Sequence, residues 1–237
     1  MKISLSLEKT KSDDVSIMVD TFRASTSITV ALNHFKKIIP TFSPEEARKI
    51  ANEHGAVLAG ERNGIKIKGF DLGNSPVELE NYKTKKDTLI LTTSNGTRIL
   101  ENMNSTVLIG CFLNAKSVAK ASLKIANSHI DLVMAGWKGN FALEDFLASG
   151  EILYQIIKRE DEDTVFQIDE YAQSAIIASR NYPSLKKAIL NTRAAKGLEK
   201  LGYKKDIEFS LKKNVSENVA IYEEGILSLF LFRNNKN

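Results

Sequence analysis

Residues 15–35 read VSIMVDTFRASTSITVALNHF. Val15–Val19 is a short β-rich run of the kind found in a strand buried on both faces. Ala24–Phe35 then carries apolar residues at helical spacing. Between them lies a polar turn, Asp20-Thr21-Phe22-Arg23. Strand, polar turn and helix form one half of a βαβ unit, and the pattern recurs downstream. Lys37–Phe42 reads as a strand. Ser43-Pro44-Glu45-Glu46 then starts a helix with a capping serine, a proline at its first position and a glutamate three residues on. Ala56–Gly60, Thr88–Thr92, Thr106–Gly110 and Ile130–Ala135 read as further strands, and Asn114–Ala126 and Leu143–Lys158 as helices. Such alternation predicts an α/β fold: an α/β/α sandwich with a mostly parallel or mixed sheet.

After Arg159 the pattern changes. An acidic run, Glu160–Asp163, leads into helical stretches near Asp163–Arg180 and Ser184–Leu201, followed by β-like Ile207–Leu211 and Val219–Tyr222. The expectation is an α/β core over residues 1–160, with residues 161–237 as a C-terminal helical and β extension packed on the same core.

The 237 residues are 43% hydrophobic and 26% charged, with a net charge of +4. That excess is too small to imply a nucleic-acid partner. No apolar run is long enough to cross a bilayer, and the alternating MKISLSLEKT lacks the continuous apolar stretch of a signal peptide. The single cysteine, Cys111, cannot form an internal disulfide. The cytoplasm is the expected compartment. No heptad or exposed apolar stripe argues for self-association, and a homo-oligomer stays open.

In open α/β sheets, ligands bind beyond the carboxyl ends of the strands. Four such ends carry acid, base or hydroxyl clusters: Asp20–Ser27, Glu61-Arg62, Thr92–Arg98, and Gly136–Asn140 with Glu144-Asp145. Hydroxyl and glycine residues leading into a helix offer N–H groups to an anion, and arginine offers a bidentate fork. The carboxylates would repel a phosphate unless a cation stood between, and Mg²⁺ suits hard oxygen ligands. Each piece also has an ordinary structural reading. Asp20 and Arg23 could form an Asx-turn beside a surface charge, and Asn95 could be a simple cap. Glu144 and Asp145 would favour a helix start regardless of function. Convergence at one sheet edge favours a metal-plus-anion site.

The segments VDTFRASTSI, LAGERNGIKIKGFDLGNSPVE, LTTSNGTRIL, IGCFLNA and AGWKGNFALED resemble, in this order, the motifs of the 2-phosphosulfolactate phosphatase family. The resemblance spans about Ile17 to Gly150 and continues weakly through GLEKLGYKKDIEFSLKKN. It implies an α/β/α fold and Mg²⁺-dependent hydrolysis of (R)-2-phospho-3-sulfolactate to 3-sulfolactate and phosphate, a step of coenzyme M biosynthesis in methanogens. Carried over residue by residue, it marks Asp20, Arg23, Ser25, Thr26, Glu61, Arg62, Asp71, Asn74, Ser75, Thr92, Thr93, Asn95, Gly96, Thr97, Arg98, Asn114, Glu144 and Asp145. Physical inference assigns the roles. Asp20, Glu61, Asp71 and Glu144 are candidate Mg²⁺ ligands, and Asp20, Arg23 and Asp145 are candidate catalytic residues, Asp145 or Asp71 serving as a base through water. Ser25, Thr26, Arg62, Asn74, Ser75, Thr92, Thr93, Asn95, Gly96, Thr97 and Arg98 are candidate substrate contacts.

The family usually has threonine where Ser94 and Trp137 stand and serine where Ala142 stands, departures that bear on the substrate more than on the reaction type. Direct water attack and an aspartyl-phosphate on Asp20 both stay open. Phe22, where haloacid-dehalogenase-type phosphatases carry a second aspartate, speaks against that class. Cys111 reads as a core residue, and His34, His54 and His129 fall outside the motifs. A nicotinamide dehydrogenase would need a Gly-x-Gly-x-x-Gly after the first strand, which is missing. Phosphatase action on another phosphorylated hydroxy acid, or a weakly active paralogue binding an anionic metabolite, are the competing functions.

Overall fold

The computed structural model describes residues 1–100, 103–158 and 165–232, apart from the side chains of residues 97, 98, 182 and 183. The acidic run Glu160–Asp163 and the boundary expected at residue 160 lie outside the described residues.

Within that range eleven strands make one mixed sheet. From one edge to the other they are β5 (Ile65–Lys66), β4 (Val57–Arg62), β6 (Thr88–Thr92), β3 (Lys37–Thr41), β11 (Ile226–Leu229), β10 (Ala220–Glu223), β7 (Thr106–Gly110), β2 (Val15–Val19), β8 (His129–Met134), β1 (Lys2–Leu7) and β9 (Gln167–Ile168). Strands β7, β2, β8, β1 and β9 form one parallel block, and β3, β6 and β4 another. The hairpin β10–β11 joins the blocks and is antiparallel to β7 on one side and to β3 on the other. The C-terminal segment is therefore the centre of the sheet rather than an appendage to it.

The sheet is curled. Strands β2 and β6 stand five places apart in the order, about 24 Å if the sheet were flat. Yet Met18 of β2 shares one apolar cluster with Leu91 of β6, Val57 of β4 and Ile28 of helix α1 (Ala24–Ala31). Side chains alternate as the pleat requires, so Val15, Ile17 and Val19 face a second cluster on the outer face. There they pack against α5 (Ala115–Ile125) and α6 (Leu143–Ile157). Helix α2 (Pro44–His54) covers the outer face of the other block through Ala47 and Ala51, against Leu58 and Ile90. The hairpin makes the two parallel blocks run in opposite senses. Five interstrand steps of roughly 20–25° turn strand direction by more than a right angle, and this rotation brings the carboxyl ends of both blocks to one place.

Several local readings hold. Ser43 accepts a hydrogen bond from the Glu46 N–H at 3.1 Å, Pro44 opens α2, and the Glu46 carboxylate reaches back to the Phe42 N–H at 3.0 Å. Others need correction. Ile207–Leu211, read as β-like, falls largely in helix α10 (Lys204–Ser210). Its Ile-x-Phe-x-Leu alternation mimics a strand, but Ile207 and Leu211 pack on the outer cluster and Phe209 on the inner one, which is helical spacing. The stretch near Ser184–Leu201 is two helices, α8 (Tyr182–Leu190) and α9 (Arg193–Lys200). They part at Thr192, whose hydroxyl accepts from the Ala195 N–H at 3.2 Å. The N-terminal alternation of MKISLSL forms strand β1, with Ile3 and Leu5 in the core and Ser4 and Ser6 donating to the buried Asp131.

Candidate active site

Asp20 follows β2, and the turn that carries it is clamped from within. The Ser25 hydroxyl accepts from the Asp20 N–H at 2.9 Å and donates to the Met18 carbonyl at 3.3 Å. Thr26 donates to the Thr21 carbonyl at 3.0 Å. Ser25 and Thr26, candidate substrate contacts by sequence, are fully buried, with hydroxyls bonded to this turn. The Asp20 carboxylate accepts from the Ala24 N–H. The loop after β6 presses on it: a Cβ at Gly96 would lie 2.6 Å from the Ala24 Cβ and 2.9 Å from Asp20 Oδ2. Only glycine permits that approach.

Glu61, near the end of β4, is equally fixed. Its Oε1 accepts from the Ser94 N–H at 2.7 Å, and its Oε2 from the Gly64 N–H at 2.6 Å and the Ser94 hydroxyl at 3.2 Å. Arg62 braces the same corner, donating to the Glu61 carbonyl at 2.7 Å, Thr92 Oγ1 at 2.9 Å and the Phe42 carbonyl at 3.1 Å. Arg62 and Thr92 thus hold β4 to β6 and do not line the cavity.

Arg23 is buried and engaged. It donates to Asp206 Oδ2 and to the Gly64 carbonyl, both at 2.9 Å, and its guanidinium lies 4.4 Å from the Tyr203 ring centroid. Asp206 Oδ1 accepts from the Ser75 hydroxyl at 2.7 Å. One ion pair therefore ties α1, α10 and the start of α3 (Pro76–Glu80) together.

These loops enclose a cavity of about 320 Å³. Asp20, Glu61 and Asn74 are among the residues that line it, Thr93, Ser94 and Asn95 form one wall with Asn63 and Gly64, and Phe22, Leu198 and Leu201 are its apolar part. Asn74 is 3% exposed, and its Oδ1 is buried without a hydrogen-bond partner. Trp137, Lys138 and Arg193 border the cavity and are exposed to solvent.

Acids crowd this end of the sheet. Burial above all, opposed by the Ala24 N–H and by Arg23 and reinforced by Glu61 and Glu144, pushes the Asp20 carboxyl up to about 7. Burial, then Asp20 and Glu144, holds Asp145 well above the usual carboxylate range. Both oxygens of Asp145 are occupied, by the Thr21 N–H at 2.8 Å and the Gly136 N–H at 3.1 Å. It joins the β2 and β8 loops behind the cavity. Glu144 is also raised, chiefly by burial, and accepts from the Thr192 hydroxyl.

Other marked residues lie elsewhere. Asp71 is exposed, and its Oδ2 accepts from the Leu58 N–H at 2.9 Å near the start of β4. Glu61 is three residues further along that strand, about 10 Å away, so Asp71 is not brought to this edge. Asn114 is buried, with its amide bonded to the Ile109 and Asn218 carbonyls. The side chains of Thr97 and Arg98 are outside the described residues. Among the described residues, no three His, Cys, Asp or Glu side chains are arranged to enclose a metal by themselves. Tyr203, Asp206, Arg193, Lys138 and Asn63 were not named as site residues from the sequence, although Lys138 stood in the strand-end cluster Gly136–Asn140 and Asn63 in the LAGERNGIKIKGFDLGNSPVE segment. Only the weak GLEKLGYKKD resemblance pointed to Tyr203 and Asp206.

A sequence model described as 2-phosphosulpholactate phosphatase matches residues 2–225. The chain is 41% identical over 229 residues to the 2-phosphosulfolactate phosphatase of Methanothermobacter thermautotrophicus, covering 97% of this chain and 96% of that protein. It is 35% identical over 224 residues to the 2-phosphosulfolactate phosphatase of Methanocaldococcus jannaschii, covering 90% and 91%. With a match that runs through both sheet blocks and every loop of the cavity, the chain belongs to the 2-phosphosulpholactate phosphatase family.

Proposed function

We propose that this protein hydrolyses 2-phospho-3-sulfolactate to 3-sulfolactate and phosphate with the help of Mg²⁺. One observation carries the reading: two buried, pre-oriented carboxylates, Asp20 and Glu61, share a small cavity with an orphaned amide oxygen and with cations at its border. Once ionised, these carboxylates repel a phosphomonoester unless a cation intervenes.

The donor set fits Mg²⁺. Asp20, Glu61 and Asn74 offer hard oxygens, with no thiol or imidazole among the described residues that line the cavity. Mg²⁺ keeps several waters and shares its shell with phosphate oxygens, so two carboxylates suffice. Asp20 and Glu61 would hold the ion, and it would supply charge neutralisation at the phosphoryl group.

The protein's own residues do the positioning. The Ala24 N–H on Asp20, and the Ser94 and Gly64 N–H groups on Glu61, fix both carboxylates before substrate arrives. Arg23, immobilised by Asp206, adds positive potential at the wall. Phosphoryl transfer depends mainly on such positioning and electrostatic stabilisation, with little covalent work for the protein. Direct attack by water on phosphorus is the step this arrangement serves.

The test is phosphate release from synthetic 2-phospho-3-sulfolactate by the purified protein. Turnover is expected with Mg²⁺ and should fall to background after exhaustive chelation; full turnover without a divalent ion would sink the metal assignment. A single turnover in oxygen-18 water should place one label in phosphate. A labelled aspartyl-phosphate trapped on Asp20 would replace water attack by the covalent route.

A further inference from the structure

The cavity is lined by acids and also bordered by cations. Among the described residues three cations border it: Arg23, Lys138 and Arg193. Arg23 is spent on Asp206 and the Gly64 carbonyl. Lys138 and Arg193 have no carboxylate partner among the described residues. Instead both lie against one ring, Lys138 Nζ at 5.1 Å and Arg193 Cζ at 4.8 Å from the Trp137 ring centroid. They arrive from separate elements, the loop after β8 and the first turn of α9.

The loop that presents Lys138 is rigidly built. Trp137 and Asn140 exchange N–H···O bonds of 2.9 and 3.0 Å around a two-residue turn, with φ of 51° at Lys138 and 80° at Gly139. Two positive groups thus lie against one indole at the border of the cavity, where an anion could meet both.

We infer that Lys138 and Arg193, held on the Trp137 indole, form the subsite for the sulfonate of the substrate. The inference rests on the proposed function. In 2-phospho-3-sulfolactate the phosphoryl oxygen and the carboxylate share one carbon, and the sulfonate lies a carbon further out. With the phosphoryl group at Asp20 and Glu61, the sulfonate is the group that reaches the border of the cavity. A sulfonate is permanently ionised and offers three oxygens. A guanidinium fork and an ammonium can share them, while the indole face packs the adjoining methylene.

The experiment compares two esters, 2-phospho-3-sulfolactate and 2-phospholactate, on the wild type, Arg193→Gln, Lys138→Gln, the double variant and Arg193→Lys. The ratio of kcat/KM for the sulfonated over the plain ester should fall by roughly 10- to 100-fold in the double variant, mostly through KM. Arg193→Lys should recover part of it. A ratio that stays within about twofold overturns the subsite, as does an equal fall on both esters, which general loss of charge or of fold would produce. Should the wild type fail to turn over the sulfonated ester, the proposed function falls. Calorimetry with 3-sulfolactate and lactate then judges the subsite alone: weaker 3-sulfolactate binding by the double variant supports it, and equal binding overturns it.

Discussion

Asp20 stands where two demands conflict. Catalysis needs an anionic oxygen pointing into the cavity, while burial beside Glu61 and Glu144 disfavours that charge. Asp20→Asn should therefore lower kcat by at least ~100-fold and at the same time stabilise the metal-free protein. The pH dependence follows from the sign of the shift. The folded carboxyl, at about 7, binds its proton more tightly than the unfolded one at 3.8. Its contribution is thus fully present below pH 4 and is lost as pH rises towards and through 7. The stability of the metal-free wild type should fall between about pH 4 and 7, by on the order of a few kcal/mol at most, and its melting temperature with it. Mg²⁺ should flatten the slope, and so should Asp20→Asn. His129, whose imidazole burial holds below its ordinary value, contributes the opposite slope in both proteins, so the difference between wild type and Asn variant reports Asp20 together with Asp145, which Asp20 helps to hold up. Melting curves at constant ionic strength check this; equal slopes in wild type and variant would contradict it. Asp20 and Glu61 were legible in the sequence because each directly follows or ends an apolar run. The roles of Ser25, Thr26 and Ser75 were not, because which backbone or carboxylate group a hydroxyl meets is decided by turns and by residues far away in the chain.

Elements meet at the site through a few close contacts. Helix α4 (Gly96–Leu100) starts against α1, and Gly96→Ala should displace the Asp20 turn. A shift of even 1 Å there should lower kcat/KM by on the order of 100-fold, with only about 1–3 kcal/mol lost in stability as overpacking. Unchanged kinetics would mean that α4 gives way instead. Helix α10 is bound to α1 by the Arg23–Asp206 pair, whose side chains are 2% and 3% exposed. Asp206→Asn leaves a buried guanidinium without its counter-charge and should cost about 3–5 kcal/mol in urea unfolding; replacing both partners by apolar residues should cost less. Asp206 could not be found by strand-end reasoning. It lies 183 residues from Arg23, within a stretch whose alternation imitates a strand. By contrast, α2 announced itself through Ser43, Pro44 and Glu46, because capping is a local interaction.

At the scale of the molecule, the two parallel blocks could be read from β–α alternation, since each strand–helix step is local. Their opposed directions and the hairpin between them could not, because pairing of β10 with β7 and β11 with β3 joins residues more than a hundred positions apart. Removing residues 218–237 should abolish cooperative folding, because β7 and β3 would each lose a neighbour and Ala220 and Leu227 would leave the inner cluster. A truncated chain that still melts in one sharp transition would show that the blocks close without the hairpin. The central position of β10 and β11 also constrains synthesis. About 110 residues separate the end of β7 from the start of β10, and at typical translation rates they take roughly 5 to 20 seconds to emerge. Throughout that interval the nascent chain carries two half-sheets with bare edges and no seam to join them. Strands β10 and β11, made after the rest of the sheet, decide whether those edges pair with each other or with another polypeptide.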